Sequence, residues 1–175
     1  MENVILEIIS NKQVGKDIYE MVLKGDLSSI KNPGEFVEIK LDGYYLRRPI
    51  SVCDFSKDTL TLLYKVLGHG TKDMSTYKEG LKLDVLVNLG NGFIDLDAKK
   101  PLLVAGGIGI APMFALARRF NELNVRPTIL YGASKKDDVV LIEKLKQYGE
   151  VIITTDDGSI NYKGNVVSYL KEHNV

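Results

Sequence analysis

The sequence predicts two units of different class, an antiparallel β-barrel or sandwich over residues 1–98 and a parallel α/β unit over residues 99–175. Three observations predict it. Short, apolar-rich stretches separated by turn signals fill the first hundred residues. After Lys99-Lys100-Pro101 the pattern changes to alternating strand and helix signatures. A glycine loop, Gly106-Gly107-Ile108-Gly109-Ile110-Ala111-Pro112, stands at the first strand-to-helix junction of that second half.

In the first half, Asn3–Ser10 is rich in Val and Ile, and Asp17–Lys24 offers Ile18, Met21 and Leu23 as its apolar residues with a bulge between them. Glu35–Leu41 alternates, so Val37, Ile39 and Leu41 share one face. Arg47–Ser51 closes a further strand, and Thr59–Leu67 and Leu81–Val87 are two more. Asn32-Pro33-Gly34, Asp42-Gly43 and Gly68-His69-Gly70 mark turns, and a short helix follows Thr71 toward Tyr77. In the second half, Leu102–Ala105 is wholly apolar, which predicts a strand buried on both faces. Met113–Leu123 carries a helical stripe of Phe114, Ala117, Phe120 and Leu123. Thr128–Tyr131 and Val151–Thr155 read as strands, Val139–Tyr148 and Asn165–Glu172 as helices, with Gly149 stopping the first of these. Three strand–helix alternations predict a parallel sheet with right-handed crossovers.

Composition narrows the function. Among 175 residues, 23 basic balance 23 acidic, so no net field favours nucleic acid or anionic lipid. No apolar run approaches the ~20 residues that span a bilayer. Met1-Glu2-Asn3-Val4 carries no basic stretch leading into a hydrophobic one, so no secretory signal is expected and the location is read as cytoplasmic. The single cysteine, Cys53, rules out an internal disulfide and an iron–sulfur or cysteine-rich zinc site made by this chain alone, and reads as a small buried apolar residue. His69 and His173 lack metal-ligand spacing and read as surface residues, so no metal site is expected.

The glycine loop follows a strand and opens a helix. There, glycines permit a tight turn and close approach of a ligand, and the helix start offers free N–H groups to a phosphate. Pro112 suits the first helical turn. Gly106, Gly107, Ile108, Gly109 and Pro112 are therefore candidate dinucleotide contacts, although the order departs from the spaced G-x-G-x-x-G fingerprint. Beyond the second strand, Tyr131-Gly132-Ala133-Ser134-Lys135-Lys136 holds no carboxylate, so the choice between NAD and NADP stays open. Asp156-Asp157-Gly158 ends the third strand at the carboxyl edge of the sheet, either contacting a nucleotide through Asp157 or forming a polar turn.

In the first half, Arg47-Arg48-Pro49-Ile50-Ser51 combines a guanidinium fork suited to phosphate with a hydroxyl three residues on. It is followed in order by Leu63-Tyr64-Lys65, Gly68-His69-Gly70-Thr71, Leu89-Gly90-Asn91-Gly92-Phe93 and the glycine loop. This ordered set resembles the ferredoxin–NADP reductase superfamily over essentially the whole chain, and within it the electron-transfer subunits of type B (NAD-dependent) dihydroorotate dehydrogenases. The resemblance implies a six-stranded Greek-key barrel that binds FAD, followed by an NAD(P)-binding α/β domain. It implies FAD contacts at Arg48, Pro49, Ile50 and Ser51, with Ser51 near flavin N5, at Leu63, Tyr64 and Lys65 along the ring and ribityl chain, and at Gly70 and Thr71 for the pyrophosphate. Gly106 to Pro112 would hold the nicotinamide nucleotide.

Implied, too, are hydride transfer between nicotinamide C4 and flavin N5, onward passage of electrons to a [2Fe-2S] centre, and a catalytic FMN subunit as partner in a heterotetramer, serving pyrimidine biosynthesis. Three departures accompany the resemblance. Val87-Asn88 replaces the Gly-Pro that usually opens the flavin loop. The chain reaches His173-Asn174-Val175 without the family's Cys-Gly-Pro strand, and without its C-terminal cysteine cluster. The α/β unit is accordingly read as incomplete, and the cluster as not ligated by this chain. Two other readings stand beside this one: the small subunit of a related NAD(P)H–ferredoxin or sulfide oxidoreductase, and a non-catalytic flavin-binding module.

Overall fold

The computed structural model describes residues 1–174. It divides at Ile94/Asp95 into two units, against the 98/99 boundary read from the sequence.

In the first unit, six antiparallel strands close into a barrel in the order β1-β2-β5-β4-β3-β6. They are β1 (Glu2–Gly15), β2 (Ile18–Lys24), β3 (Phe36–Ile39), β4 (Arg48–Phe55), β5 (Thr59–Lys65) and β6 (Lys82–Leu89). Closure joins β1 to β6 and leaves no free sheet edge. Inward residues alternate along each strand, and Leu6, Ile8, Met21, Leu23, Val37, Ile39, Leu60, Leu62 and Val85 fill the interior. The predicted face of Val37, Ile39 and Leu41 is buried. Irregular register in the β1–β2 pair lies at Ile8/Ser10 and Gln13/Gly15, on β1 rather than within β2. Helix α1 (His69–Met74) follows β5, beginning two residues before Thr71. Cys53 is buried, as its composition class predicts.

In the second unit, four parallel strands run in the order β10-β9-β8-β7: β7 (Leu102–Gly106), β8 (Thr128–Ala133), β9 (Glu150–Thr155) and the two-residue β10 (Tyr162–Lys163), which the sequence reading had not anticipated. Helix α2 (Ile110–Glu122) connects β7 to β8, and α4 (Val166–Glu172) is capped by Asn165, whose Oδ1 accepts from Ser168 N at 2.9 Å. Among the described residues no helix is long and apolar enough to cross a membrane.

Three expectations are corrected. Strand β7 is not buried on both faces: Leu103 and Ala105 are buried while Leu102 and Val104 are exposed, because β7 lies at a sheet edge. The doubly buried strand is the interior β8. The helix predicted over Val139–Tyr148 shrinks to α3 (Ile142–Leu145), because Leu141 takes a left-handed conformation at φ 65° and stops a continuous helix. On α2, Leu123 is 44 % exposed, and the buried stripe runs through Ile110, Phe114, Ala117 and Phe120 instead.

Two buried tyrosines give the fold an alkaline limit. Burial pushes Tyr64 and Tyr131 up to about 12, and the hydroxyl of Tyr131 donates to Asp138 O at 3.2 Å. An unfolded tyrosine ionises near pH 10. Between about pH 10 and 12 the unfolded chain therefore loses protons that the folded chain keeps, and stability falls as pH rises. Each group accounts for up to about 2–3 kcal/mol by pH 12. Urea midpoints should fall steadily above pH 10, with a shallower slope in Tyr131→Phe; a flat profile to pH 11.5 would refute this.

Candidate functional site

Within the barrel unit, the motif from Arg47 to Ser51 opens β4 rather than closing a strand, since pairing begins with Arg48 opposite Ile39. The two arginines do different work. Arg47 is turned to the barrel wall, where Nη2 pairs with Asp84 Oδ1 at 2.9 Å and Nη1 donates to Asp84 O at 3.1 Å. Arg48 is held differently. Its Cζ lies 4.7 Å from the centroid of the Tyr44 ring, a cation–π distance, and Nη1 donates to Leu46 O at 2.5 Å. The guanidinium also lies against Gly70, where a Cβ would sit 2.8 Å from Nη2 and 2.9 Å from Cζ. The hydroxyl of Tyr44 donates to Asp73 Oδ2 at 2.6 Å, fastening the ring to α1. Arg48, Tyr44 and Gly70 thus form one cluster, with most guanidinium N–H donors unspent.

The other residues of the predicted flavin set are distributed differently. Pro49 and Ser51 lie opposite Glu38 and Phe36, on the face of β4 away from Arg48 and Ile50. Ile50 packs on the barrel core. Tyr64 is 1 % exposed inside the barrel, stacked with Tyr19 at 5.7 Å, so only its backbone is available to a ligand. Leu63 is also buried but points to the opposite face of β5, and Lys65 pairs with Ile18 at the strand end. Thr71 Oγ1 accepts from Leu67 N at 3.0 Å and donates to Gly68 O at 3.1 Å, so its hydroxyl caps its own turn. Tyr44 went unassigned in the sequence because nothing local ties a loop tyrosine to an arginine four residues on.

Within the α/β unit, Gly106 ends β7 directly opposite Gly132 of β8, which in turn lies opposite Thr154 of β9. Gly107 has φ +53°, a conformation that favours glycine. The chain passes through one 3-10 turn, Gly107–Gly109, into α2, with Pro112 in the first helical turn. Nothing lies within 4 Å of where a Cβ would stand on Gly106, Gly107 or Gly109, so the backbone there is open to an approaching group. Beside this loop a cleft of about 210 Å³ occupies the carboxyl ends of the strands, lined by Gly106, Gly107, Gly132, Ser134, Asp156 and Asn165 among others. Ile108, Gly109 and Pro112 support the loop without lining the cleft. Asp157 does not line it either. Its carboxylate accepts from Ser159 N at 2.9 Å, and hydrogen bonds from Ser159 hold it below the usual carboxylate range. Asp156, its neighbour, lines the cleft. The sequence reading named Asp157 as the candidate nucleotide contact of this pair, whereas Asp156 is the member that lines the cleft. His173 is exposed and stacks on Tyr169 at 3.9 Å. Among the described residues no three His, Cys, Asp or Glu side chains group as metal ligands.

No family model matches the chain. Curated relatives do. The dihydroorotate dehydrogenase B (NAD(+)) electron transfer subunit of Fusobacterium nucleatum subsp. nucleatum is 38 % identical over 171 residues, covering 93 % of this chain and 66 % of the relative. The subunit of the same name from Bacillus mycoides is 38 % identical over 177 residues, covering 96 % and 68 %. The chain belongs to the family of dihydroorotate dehydrogenase B electron transfer subunits. It spans about two thirds of the length of these relatives. Among solved structures, an NADH-dependent reduced ferredoxin–NADP oxidoreductase described for flavin-based electron bifurcation aligns with a TM-score of 0.86 at 28 % identity, over 95 % of this chain and 62 % of the other. Phthalate dioxygenase reductase aligns with a TM-score of 0.77 at 23 % identity, over 97 % and 56 %, a likeness of fold. The closed antiparallel barrel followed by a parallel sheet is thus the ferredoxin reductase fold that the sequence motifs imply.

Proposed function

We propose that this chain forms the FAD- and NAD(H)-binding part of an electron transfer subunit that passes electrons between NAD(H) and a dihydroorotate dehydrogenase catalytic subunit. Residues 1–98 would carry FAD and residues 99–175 the nicotinamide nucleotide. The observation that supports this best is the Arg48 guanidinium, held close to both the Tyr44 ring and the bare Cα of Gly70 with donors to spare. That arrangement fits a pyrophosphate, which planar guanidinium forks bind with charge-assisted hydrogen bonds. The open backbone of Gly106–Gly109 at the start of α2 fits a second pyrophosphate.

When bound, the two cofactors supply the hydride chemistry, and this chain supplies position and electrostatics. Arg48 binds and neutralises phosphate charge. Tyr44 and Gly70 fix the plane of its guanidinium. Ser51, on the other face of β4, is the candidate donor near flavin N5. Gly106, Gly107 and the first turn of α2 present backbone N–H groups to the nicotinamide nucleotide. No side chain of this chain is required to take or give a proton in hydride transfer. A [2Fe-2S] centre belongs to the family, and the single cysteine, buried Cys53, does not fit its four-thiolate demand. The catalytic FMN subunit is the proposed partner, and the cytoplasm the proposed location.

The likeness to an NADH-dependent ferredoxin–NADP oxidoreductase supports a second reading, in which electrons pass to ferredoxin. The test separates them. The purified chain should carry bound FAD visible by its absorbance, and anaerobic NADH should bleach it. Co-expression should then recover a complex with the dihydroorotate dehydrogenase catalytic subunit. A colourless chain that takes up no FAD would sink the flavoprotein reading, and a yellow chain that binds ferredoxin but not that subunit would favour the second.

A further inference from the structure

We propose that Glu35 is a positioning residue of the flavin site, acting through the turn at residues 31–34 on the loop at residues 90–93, and so on the Phe36 ring beside Ser51. This rests on the reading of the Ser51 face of β4 as the place of the isoalloxazine. Glu35 stands just before β3 and is only 3 % exposed. Its Oε1 accepts from Lys31 N at 3.1 Å and from Asn32 N at 2.9 Å, drawing the chain into the turn Asn32-Pro33-Gly34. Among the described residues its Oε2 has no hydrogen-bond partner. Folded proteins keep few buried polar atoms in that state. The carboxylate is held here for the one oxygen that gathers two backbone N–H groups.

The turn that Glu35 holds is interlocked with the loop that leaves β6. Phe93 N donates to Pro33 O at 2.6 Å. A Cβ on Gly34 would stand 2.6 Å from Phe93 Cδ2, and one on Gly92 would stand 2.7 Å from Pro33 O. Both glycines are left-handed, at φ +87° and +64°, so neither the turn nor the loop accommodates a side chain where they cross. Further back, Gly90 lies against the Phe36 ring, where a Cβ would be 3.3 Å from Cδ1 and Cε1. Phe36 pairs with Leu89 on one side and with Ser51 on the other, and directly opposed residues share a face of the sheet. The pairing of β3 with β6 slips between Phe36 and Glu38, and Asn88 has φ 56°. Such a bulge re-aims side chains and is common beside active sites. It falls at the Val87-Asn88 step, where the sequence departs from the family's usual flavin loop. A half-buried ring next to the candidate N5 donor offers an apolar wall to a flat heterocycle. The loop sets the place of that ring, and behind the loop stands Glu35.

The test is anaerobic single-turnover reduction of the FAD-loaded protein by NADH, with flavin content and melting temperature read on the same samples. Glu35→Ala frees the turn from one side, and Gly92→Ala pushes the loop off Pro33 from the other. Both should keep FAD, because Arg48, Tyr44 and Gly70 are untouched. Both should lower the limiting rate of flavin reduction roughly ten- to hundredfold, the cost of a misplacement of about 1 Å, with the half-saturating NADH concentration unchanged. Glu35→Gln retains an oxygen for Lys31 N and Asn32 N and should restore the rate. An unmoved rate in both alanine variants, or a Glu35→Gln rate as low as that of Glu35→Ala, would overturn the assignment while the flavoprotein reading stands. So would FAD lost in step with melting temperature in both, which is what a purely structural role predicts. An unaltered protein with no FAD, or with FAD that NADH does not bleach, takes the flavin reading and this inference down together.

Discussion

Gly70→Ala is expected to strip FAD from a barrel that still folds. A methyl group at residue 70 would sit inside the volume of the Arg48 guanidinium, 2.8 Å from Nη2 and 2.9 Å from Cζ. The obstructing atoms are the end of a flexible side chain, so Arg48 swings away and the backbone need not move. Gly70 lies in α1 without a positive φ, so alanine is not strained there. What is lost is the pinned orientation over Tyr44. Losing a charge-assisted contact to phosphate costs about 1.5–3 kcal/mol, or roughly ten- to hundredfold in FAD affinity. Arg48→Ala should cost a similar amount, and the double variant little more than either, because both remove one interaction. Flavin content after gel filtration and a melting curve on the same samples check this. Full flavin retention in Arg48→Ala would remove the anchor from the site, and additive losses would show that Gly70 acts in some other way.

The second large effect is expected on stability. Asn11→Ala should unfold the barrel unit more readily by about 2–4 kcal/mol, since its side chain makes three hydrogen bonds, of which each lost or orphaned buried partner costs about 1–3 kcal/mol. Asn11 Oδ1 accepts from the buried Tyr64 hydroxyl at 3.0 Å. Its Nδ2 donates to Met74 O at 2.8 Å and Tyr77 O at 3.2 Å. One amide from β1 therefore joins the barrel interior to the end of α1, the helix that also carries Gly70 and Asp73. Asn11→Asp should fare no better at neutral pH, because a carboxylate satisfies Tyr64 but faces two carbonyl oxygens that it cannot pair with. Denaturant titration reads the loss directly; a change below about 0.5 kcal/mol in Asn11→Ala, within the range of ordinary surface substitutions, would show that water replaces the amide.

Much of this molecule was legible before its structure, and what was missed shares a cause. Apolar patterning and turn signals located five of the six barrel strands, and the strand–glycine–helix order located α2, because both signals are local; the Arg47–Ser51 motif was placed at the end of a strand that it in fact begins. The failures lie where a residue's environment depends on distant chain. Leu102 and Val104 look like Leu130 and Tyr131 in composition, yet the first pair is exposed and the second buried, since only the strand order makes β7 an edge and β8 interior. Leu141 resembles any helical leucine, and its left-handed backbone breaks the predicted helix. The doubled Arg47-Arg48 reads as one motif, and only the pairing of β3 with β6 puts Asp84 beside Arg47, while Arg48 lies against Tyr44 and Gly70.

Residue order alone determined the class of each half, the glycine turn at the head of α2 and the kinship of the motifs, because period, turn chemistry and spacing act over a few residues. Tertiary structure decided which side chains are free to meet a ligand. Tyr44 and Gly70 reach Arg48 across the barrel's end, Tyr64 is withdrawn into its interior, and of the two adjacent aspartates Ser159 holds one in a turn while the other lines the cleft. The physical reason is that availability is set by hydrogen bonds and burial between segments far apart in sequence, which no local pattern encodes.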